Sequence, residues 1–261
     1  MKHLQIETET NGCATLRLNN PEQHNTFDDR LIAELTASLQ QLGADPQVRV
    51  VTLAASGKSF SAGADLNWMR RMADYSTAEN LQDALALAEM LRTLNELPKP
   101  TVALIQGAAF GGGVGLVAAC DMAIASERAS FCLSEVKLGL IPAAISPYVL
   151  TAIGQRAARR YFLTAERFSA AEALRIGLIH QVVAETELPQ TGAAICQQLL
   201  QNGPQALKEA KRLIRDVSGR PIDSALIEVT AKRIAAIRAT DEGSEGLNAF
   251  LAKRKPNWNE E

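Results

Sequence analysis

Two glycine-containing stretches stand out for what their backbone could do. The first is Gly57-Lys58-Ser59-Phe60-Ser61-Ala62-Gly63-Ala64-Asp65-Leu66, and the second is Gly107-Ala108-Ala109-Phe110-Gly111-Gly112-Gly113-Val114-Gly115. Small residues at 61 to 64 and at 111 to 113 keep side chains clear of the main chain, so a ligand oxygen can approach its amides. Three successive glycines are costly to order and are expected where backbone turns sharply or lies against another surface. A helix start adds unpaired N–H groups and a partial positive charge. Two such loops, each after a parallel strand, could aim two N–H groups at one oxyanion. Such a hole is worth about 3–4 kcal/mol per donor in the transition state. Taken singly, either loop reads equally well as a tight turn.

Proton chemistry needs an acid. Glu135 has Phe131, Cys132, Leu133, Val136, Leu138, Leu140 and Ile141 around it in sequence. Apolar surroundings raise a carboxyl pKa and suit it to proton transfer near neutral pH. From these neighbours alone, an exposed loop carboxylate pairing with Lys137 fits at least as well. Asp65 is expected to cap the helix after the first loop. Asp121, at a helix-to-strand junction, is expected to bond nearby backbone. His24, in the Pro21–Asn25 turn, reads as surface or ligand rim. A nicotinamide reading competes, because Gly113-Val114-Gly115-Leu116-Val117-Ala118 fits GxGxxA and Glu135 lies about twenty residues on. Against it, the glycines begin well after the strand, and another strand, at 122–125, intervenes.

The elements that would position these groups alternate. Strands are expected at Cys13–Leu18, Val48–Leu53, Thr101–Ile105 and Met122–Ala125. A helix beginning near Asp28 and Asp29 carries Leu31, Leu35, Leu39 and Leu42 at helical spacing. A helix over 78–95 has a stripe of Leu81, Leu85, Ala88 and Leu91, with Pro98 and Pro100 beyond its end. This order predicts an α/β fold with mostly parallel strands. After about residue 186 only helices are expected, over 187–201, 204–217, 222–239 and 242–252. The division is a core over 1–190 and a helical subdomain over 191–261.

The bulk properties narrow the class. With 27 Lys and Arg against 29 Asp and Glu, the net charge of −2 gives no support for a nucleic-acid or membrane-surface role. The 47% hydrophobic and 21% charged fractions over 261 residues fit an ordinary soluble globular chain with a sizeable core. Cys13, Cys120, Cys132 and Cys196 form no CxxC pair and no zinc set, so reduced, mostly buried thiols are expected. Residues 1–7 contain no apolar leader core, and no stretch approaches a bilayer span. No metal and no membrane or nucleic-acid partner is expected.

The two loops, in this order, resemble the enoyl-CoA hydratase/isomerase (crotonase) family. Phe60-Ser61-Ala62-Gly63-Ala64-Asp65-Leu66 matches its F-x-A-G-A-D-L element, and Gly107 to Gly113, followed by Ala119-Cys120-Asp121, matches its G-x-x-x-G-G-G element. Residues 131–142 and 249–256 match two further motifs, so the likeness covers nearly the whole chain. The resemblance implies a crotonase-like ββα spiral core with a C-terminal helical subdomain, a cytoplasmic homotrimer or dimer of trimers, and an acyl-CoA substrate with no separate cofactor. It implies an oxyanion hole from the amides of Ala64 and Gly112. It places Ala62, Gly63, Asp65, Leu66, Gly111 and Gly115 along the substrate, and Phe250 and Lys253 at the adenine end of coenzyme A across a subunit boundary.

Hydratases of that family hold water between two carboxylates. The resemblance assigns one to Glu135, but the other position is Gly115 here. The Pro142-Ala143-Ala144-Ile145-Ser146-Pro147-Tyr148 stretch and Phe162–Phe168 are similar to methylglutaconyl-CoA hydratase-type members. This implies hydration of a branched or carboxylated 2-enoyl-CoA, with the second carboxylate of the substrate helping to hold water in the space left by Gly115. Lys137, Arg70 or Arg71 would bind that carboxylate. Double-bond isomerisation, which needs no water, and acyl-CoA binding with lost activity are the alternatives.

Overall fold

The computed structural model describes residues 3–259; Met1, Lys2, Glu260 and Glu261 lie outside them. The chain opens with an antiparallel pair, β1 (Leu4–Thr8) and β2 (Cys13–Leu18). Next in the sheet comes β3 (Val50–Ala55), then β5 (Thr101–Ile105), β7 (Met122–Ser126) and β10 (Gln181–Val183). From β2 onward each neighbour is parallel. β3 is buried along its whole length, which is why it reads as an unbroken apolar run rather than an alternating one. It starts two residues later than expected, although Val48 is itself buried.

A second sheet orders β4 (Ser59–Ser61), β6 (Ala108–Phe110), β8 (Ser130–Cys132) and β9 (Phe168–Ser169). Sequence patterning missed this sheet, and also β1 and β10. The strands of two or three residues are too short to show a period of two, and β1, with five, is exposed beyond Leu4 and so carries no apolar alternation. Three strands of the first sheet, β3, β5 and β7, each run on into a short strand of the second and then into a helical segment. β3 and β4 lead to α2 (Leu66–Ala73) and α3 (Thr77–Asn95). β5 and β6 lead to α4 (Gly112–Ala119). β7 and β8 lead to a 3-10 turn at Glu135–Leu138 and then α5 (Ser146–Thr164). The result is a spiral of ββα turns.

α1 (Asp29–Ala44) is capped by Asp28, whose Oδ1 accepts from Leu31 N at 2.7 Å, and it buries the expected leucine stripe together with Ile32. α3 differs from expectation. Leu91 is buried with Met90 and Leu94, but Leu81 and Leu85 are 57% and 51% exposed. Only the C-terminal half of the helix packs into the core.

The helices after residue 186 are α7 (Leu188–Leu200), α8 (Pro204–Val217), α9 (Ser224–Arg238) and α10 (Asp241–Leu251), preceded by the short α6 (Ala170–Arg175). α7 lies on β3, β5 and β7 and closes a second apolar cluster of Cys13, Val50, Val102, Ile124, Leu188, Cys196 and Leu200. α8 is tied to the core by Asp121, whose Oδ2 accepts from Thr101 N, Thr101 Oγ1 and Lys211 Nζ at 2.8–2.9 Å. Asp121 is thus a structural acid. All four cysteines are buried thiols.

Candidate active site

Pairing in the second sheet sets the site. β4 lies parallel to β6 and β6 parallel to β8. Parallel strands deliver their C-terminal ends to one edge, so the segments that follow them emerge side by side. These are Ala62–Asp65, Gly111–Gly113 and the turn that starts at Glu135.

The first loop is held by the turn around His24 and Asn25 and by Phe27. That turn reads from sequence as surface or ligand rim, and His24 is exposed, but its clamping role was not foreseen. Asn25 is 1% exposed and donates from Nδ2 to Ser56 O and Ser59 O, both at 2.8 Å. Ala62 N donates to His24 O at 3.0 Å, Phe27 N to Gly63 O at 2.7 Å and Asp65 N to Phe27 O at 2.7 Å. Gly63 and Asp65 therefore turn these groups toward Phe27. In extended backbone the N–H of the residue between them, Ala64, faces the other way. Among the described residues no acceptor meets it. Asp65 Oδ1 accepts from Asn67 N and Trp68 N, capping α2, while Leu66 stands 67% exposed at its first position. The signal for the clamp was present in the turn-forming run Asn19-Asn20-Pro21 and in Asn25, which takes a left-handed φ of 53°.

The second loop turns at Gly111, with φ 49° and ψ −117°, a conformation that L side chains rarely adopt. Its N–H donates to Cys132 O at 2.9 Å, tying the loop to β8. Gly112 is the first residue of α4, and its N–H is one of the orphans of a helix start; it makes no hydrogen bond among the described residues. The two loops touch at Gly113, where a Cβ would lie 2.8 Å from Ser61 O. Only glycine allows that approach.

Glu135 completes the group. Its Oε1 lies 3.3 Å from where a Cβ on Gly111 would stand. Its Oε2 is buried with no hydrogen-bond partner among the described residues. Burial raises the carboxyl above its ordinary range, and a bond to its own backbone offsets part of that. The sequence neighbours are not all responsible: Leu138, Leu140 and Ile141 are 57%, 53% and 74% exposed. The carboxyl is enclosed instead by the strands and loop that lie beside it in space.

Gly115 corrects an expectation. It is buried, and a Cβ there would fall 2.3 Å from Ile145 Cγ2 and 3.5 Å from Leu91 Cδ2. Ile145 already fills the space expected to hold water and a distal carboxylate. The dinucleotide reading fails on the same ground, because Gly113 and Gly115 both lie inside a packed helix. Of the three basic candidates, Arg71 pairs with Asp29, and Arg70 bonds Asn67 Oδ1 at 2.6 Å. Lys137 is exposed, two residues beyond Glu135. Phe250 is 80% exposed at the end of α10, which packs chiefly on α8 and α9, and Lys253 follows with a left-handed φ of 55°. Within one chain neither joins the loops. A cavity of about 640 Å³ under α8, lined by Tyr148 and Lys211 among others, also lies apart from them.

Two amides without an acceptor and one enclosed carboxyl thus belong to segments that leave neighbouring parallel strands of the second sheet. The family model for Enoyl-CoA hydratase/isomerase matches residues 8–261, and the chain belongs to this family and has its crotonase fold. The solved structure of an enoyl-CoA hydratase from Shewanella pealeana superposes with a TM-score of 0.96 at 48% identity, over 98% of this chain and 96% of that one. The short-chain-enoyl-CoA hydratase of Clostridium acetobutylicum is 32% identical over 93% of this chain and 92% of its own length. The 1,2-epoxyphenylacetyl-CoA isomerase of Escherichia coli is 34% identical over 95% of each. The family acts on acyl-CoA thioesters.

Proposed function

We propose that this chain is a carbon–oxygen lyase that adds water to a branched or carboxylated 2-enoyl-CoA, of the methylglutaconyl-CoA kind, with Glu135 as its single catalytic carboxylate. The amides of Ala64 and Gly112 receive the thioester oxygen. Charge drawn onto that oxygen makes the β carbon electrophilic. Glu135 takes a proton from water as the water oxygen bonds to the β carbon, leaving an enolate. The same carboxyl then returns a proton to the α carbon, and the enolate collapses to the thioester. The observation that carries this reading is the buried, partnerless Oε2 of Glu135 beside the loop whose Gly112 amide has no acceptor.

With Ile145 filling the volume at Gly115, the attacking water is held between Glu135 and the substrate itself. We assign the distal carboxylate to Lys137 rather than Arg71 or Arg70, because Arg71 pairs with Asp29 and Arg70 bonds Asn67. Coenzyme A is part of the substrate, and no other cofactor enters. Ala62 and Leu66 line its channel. Phe250 and Lys253 reach its adenine end from a neighbouring copy, in a cytoplasmic homotrimer or dimer of trimers.

The packing at Gly115 also favours a second reading. One carboxyl can shuttle a proton between the α and γ carbons without water, which is Δ3–Δ2 enoyl-CoA isomerisation. Incubation with crotonyl-CoA, a 3-enoyl-CoA and methylglutaconyl-CoA in H₂¹⁸O separates the two. Hydration places ¹⁸O on the β carbon, with methylglutaconyl-CoA turned over fastest. Double-bond migration without label would overturn the hydratase reading in favour of the isomerase.

A further inference from the structure

α5 is broken at Gly154, whose φ of 69° and ψ of 165° are not helical. Beyond the break the helix carries Arg156, Arg159 and Arg160. Residues three and four apart share one helical face, so these three side chains leave α5 together. They line a groove of about 740 Å³, and Arg175, the last residue of α6, joins them from a second element. A concavity of that volume is in the range of small-molecule sites. None of its lining residues belongs to the two glycine loops or to the turn at Glu135.

The charges in the groove do not cancel. Arg160 donates twice to Glu166, at 2.6 and 3.2 Å, and Arg175 twice to Glu172, both at 2.6 Å. The Arg175 guanidinium and the Tyr161 hydroxyl hold the Glu172 carboxyl down at about 2, so it stays ionised and paired. Among the described residues, Arg156 and Arg159 make no hydrogen bond and no ion pair. Four guanidinium groups thus stand against two carboxylates, and two positive charges are unmatched. A phosphomonoester carries nearly two negative charges at pH 7. Guanidinium groups meet its oxygens with paired N–H donors. The groove is not only basic, since Ile153, Ala157 and Ile176 line it too.

We propose that this groove is a second ligand site, which takes a phosphomonoester with a small apolar body. Arg156 and Arg159 hold the phosphate, and Ile153, Ala157 and Ile176 meet the body. The site stands apart from the acyl-CoA loops and does not depend on which reaction they carry out.

The test is titration calorimetry at pH 7 in phosphate-free buffer, with phenyl phosphate and inorganic phosphate as probes. Both should bind saturably, one per chain, and phenyl phosphate at least about threefold more tightly because its ring covers apolar side chains. Arg156→Ala/Arg159→Ala should weaken both at least about tenfold, as expected for lost hydrogen bonds to a charged group. Both arginines are exposed, so Tm without ligand and turnover of acyl-CoA should not change. Should alanine lower Tm, Arg156→Gln/Arg159→Gln makes the same comparison with the side-chain length kept. Saturating coenzyme A should leave phenyl phosphate bound. Absence of saturation by about 10 mM, binding undiminished in both double variants, or equal or tighter binding of inorganic phosphate would overturn the proposal. Displacement by coenzyme A would overturn it as well, by assigning the probe to the acyl-CoA loops.

Discussion

The proposed mechanism puts all of its proton transfer on Glu135, and that residue's environment makes two measurable demands. As the proton carrier, its replacement in Glu135→Gln should lower kcat by about 10²–10⁴-fold on the best substrate. A loss of only a few-fold would remove it from the mechanism. Its carboxyl is raised above the ordinary 4.5 by burial. Between 4.5 and the raised folded value, the folded chain keeps a proton that the unfolded chain has lost, so stability falls as pH rises through that window. Glu135→Gln removes this dependence. The variant should melt higher than wild type at pH 7, with the difference closing below about pH 4.5, as followed by thermal melts across pH. The sequence pointed to Glu135, but for an incomplete reason. Leu138, Leu140 and Ile141 flank it in sequence and are exposed, whereas Gly111, distant in sequence, meets its carboxylate. Apolar neighbours along a chain do not report enclosure in space. Ile145 was invisible for the same reason: nothing in its sequence position says that it fills the volume of residue 115.

At the scale of elements, the site depends on three short strands held in parallel register. The buried strands and the main helices were legible because burial writes an apolar run or a helical period into five or more residues. The second sheet was not, because strands such as β4 and β9 are too short to carry one. The loops themselves were legible through their glycines, since close backbone approach restricts residue type more sharply than secondary structure does. The contact between Gly113 and Ser61 O tests this account. Gly113→Ala places a carbon 2.8 Å from that oxygen, so it should cost about 1–3 kcal/mol of stability in denaturant titration. It should also lower kcat/KM on the acyl-CoA, because it separates the two amides. An alanine variant with unchanged stability and activity would show that the loops do not need this contact.

For the whole molecule, the C-terminal helices pose the remaining question of assembly. α9 and α10 bury little of themselves against the rest of the chain, and Ile227, Leu247, Phe250 and Leu251 are 58%, 55%, 80% and 76% exposed. Contiguous exposed apolar surface marks an interaction site. Under the proposed homotrimer or dimer of trimers, this surface is covered by neighbouring copies, which also bring Phe250 to the coenzyme. Phe250→Asp with Leu251→Ser should shift the mass measured by light scattering toward the monomer and raise KM for acyl-CoA. An unchanged oligomer with unchanged KM would place the interface elsewhere. Sequence patterning found these helices to within two residues, yet their exposure became apparent only from the packed fold.

In both proposed reactions the amides of Ala64 and Gly112 polarise a thioester carbonyl, whichever way the proton then moves. The direct measurement is the ¹³C shift of the thioester carbonyl in a [1-¹³C]2-enoyl-CoA bound to Glu135→Gln, which binds substrate but turns it over slowly. The resonance should move downfield on binding, since two donors draw electron density onto the oxygen. A bound carbonyl carbon resonating where the free thioester does would contradict it.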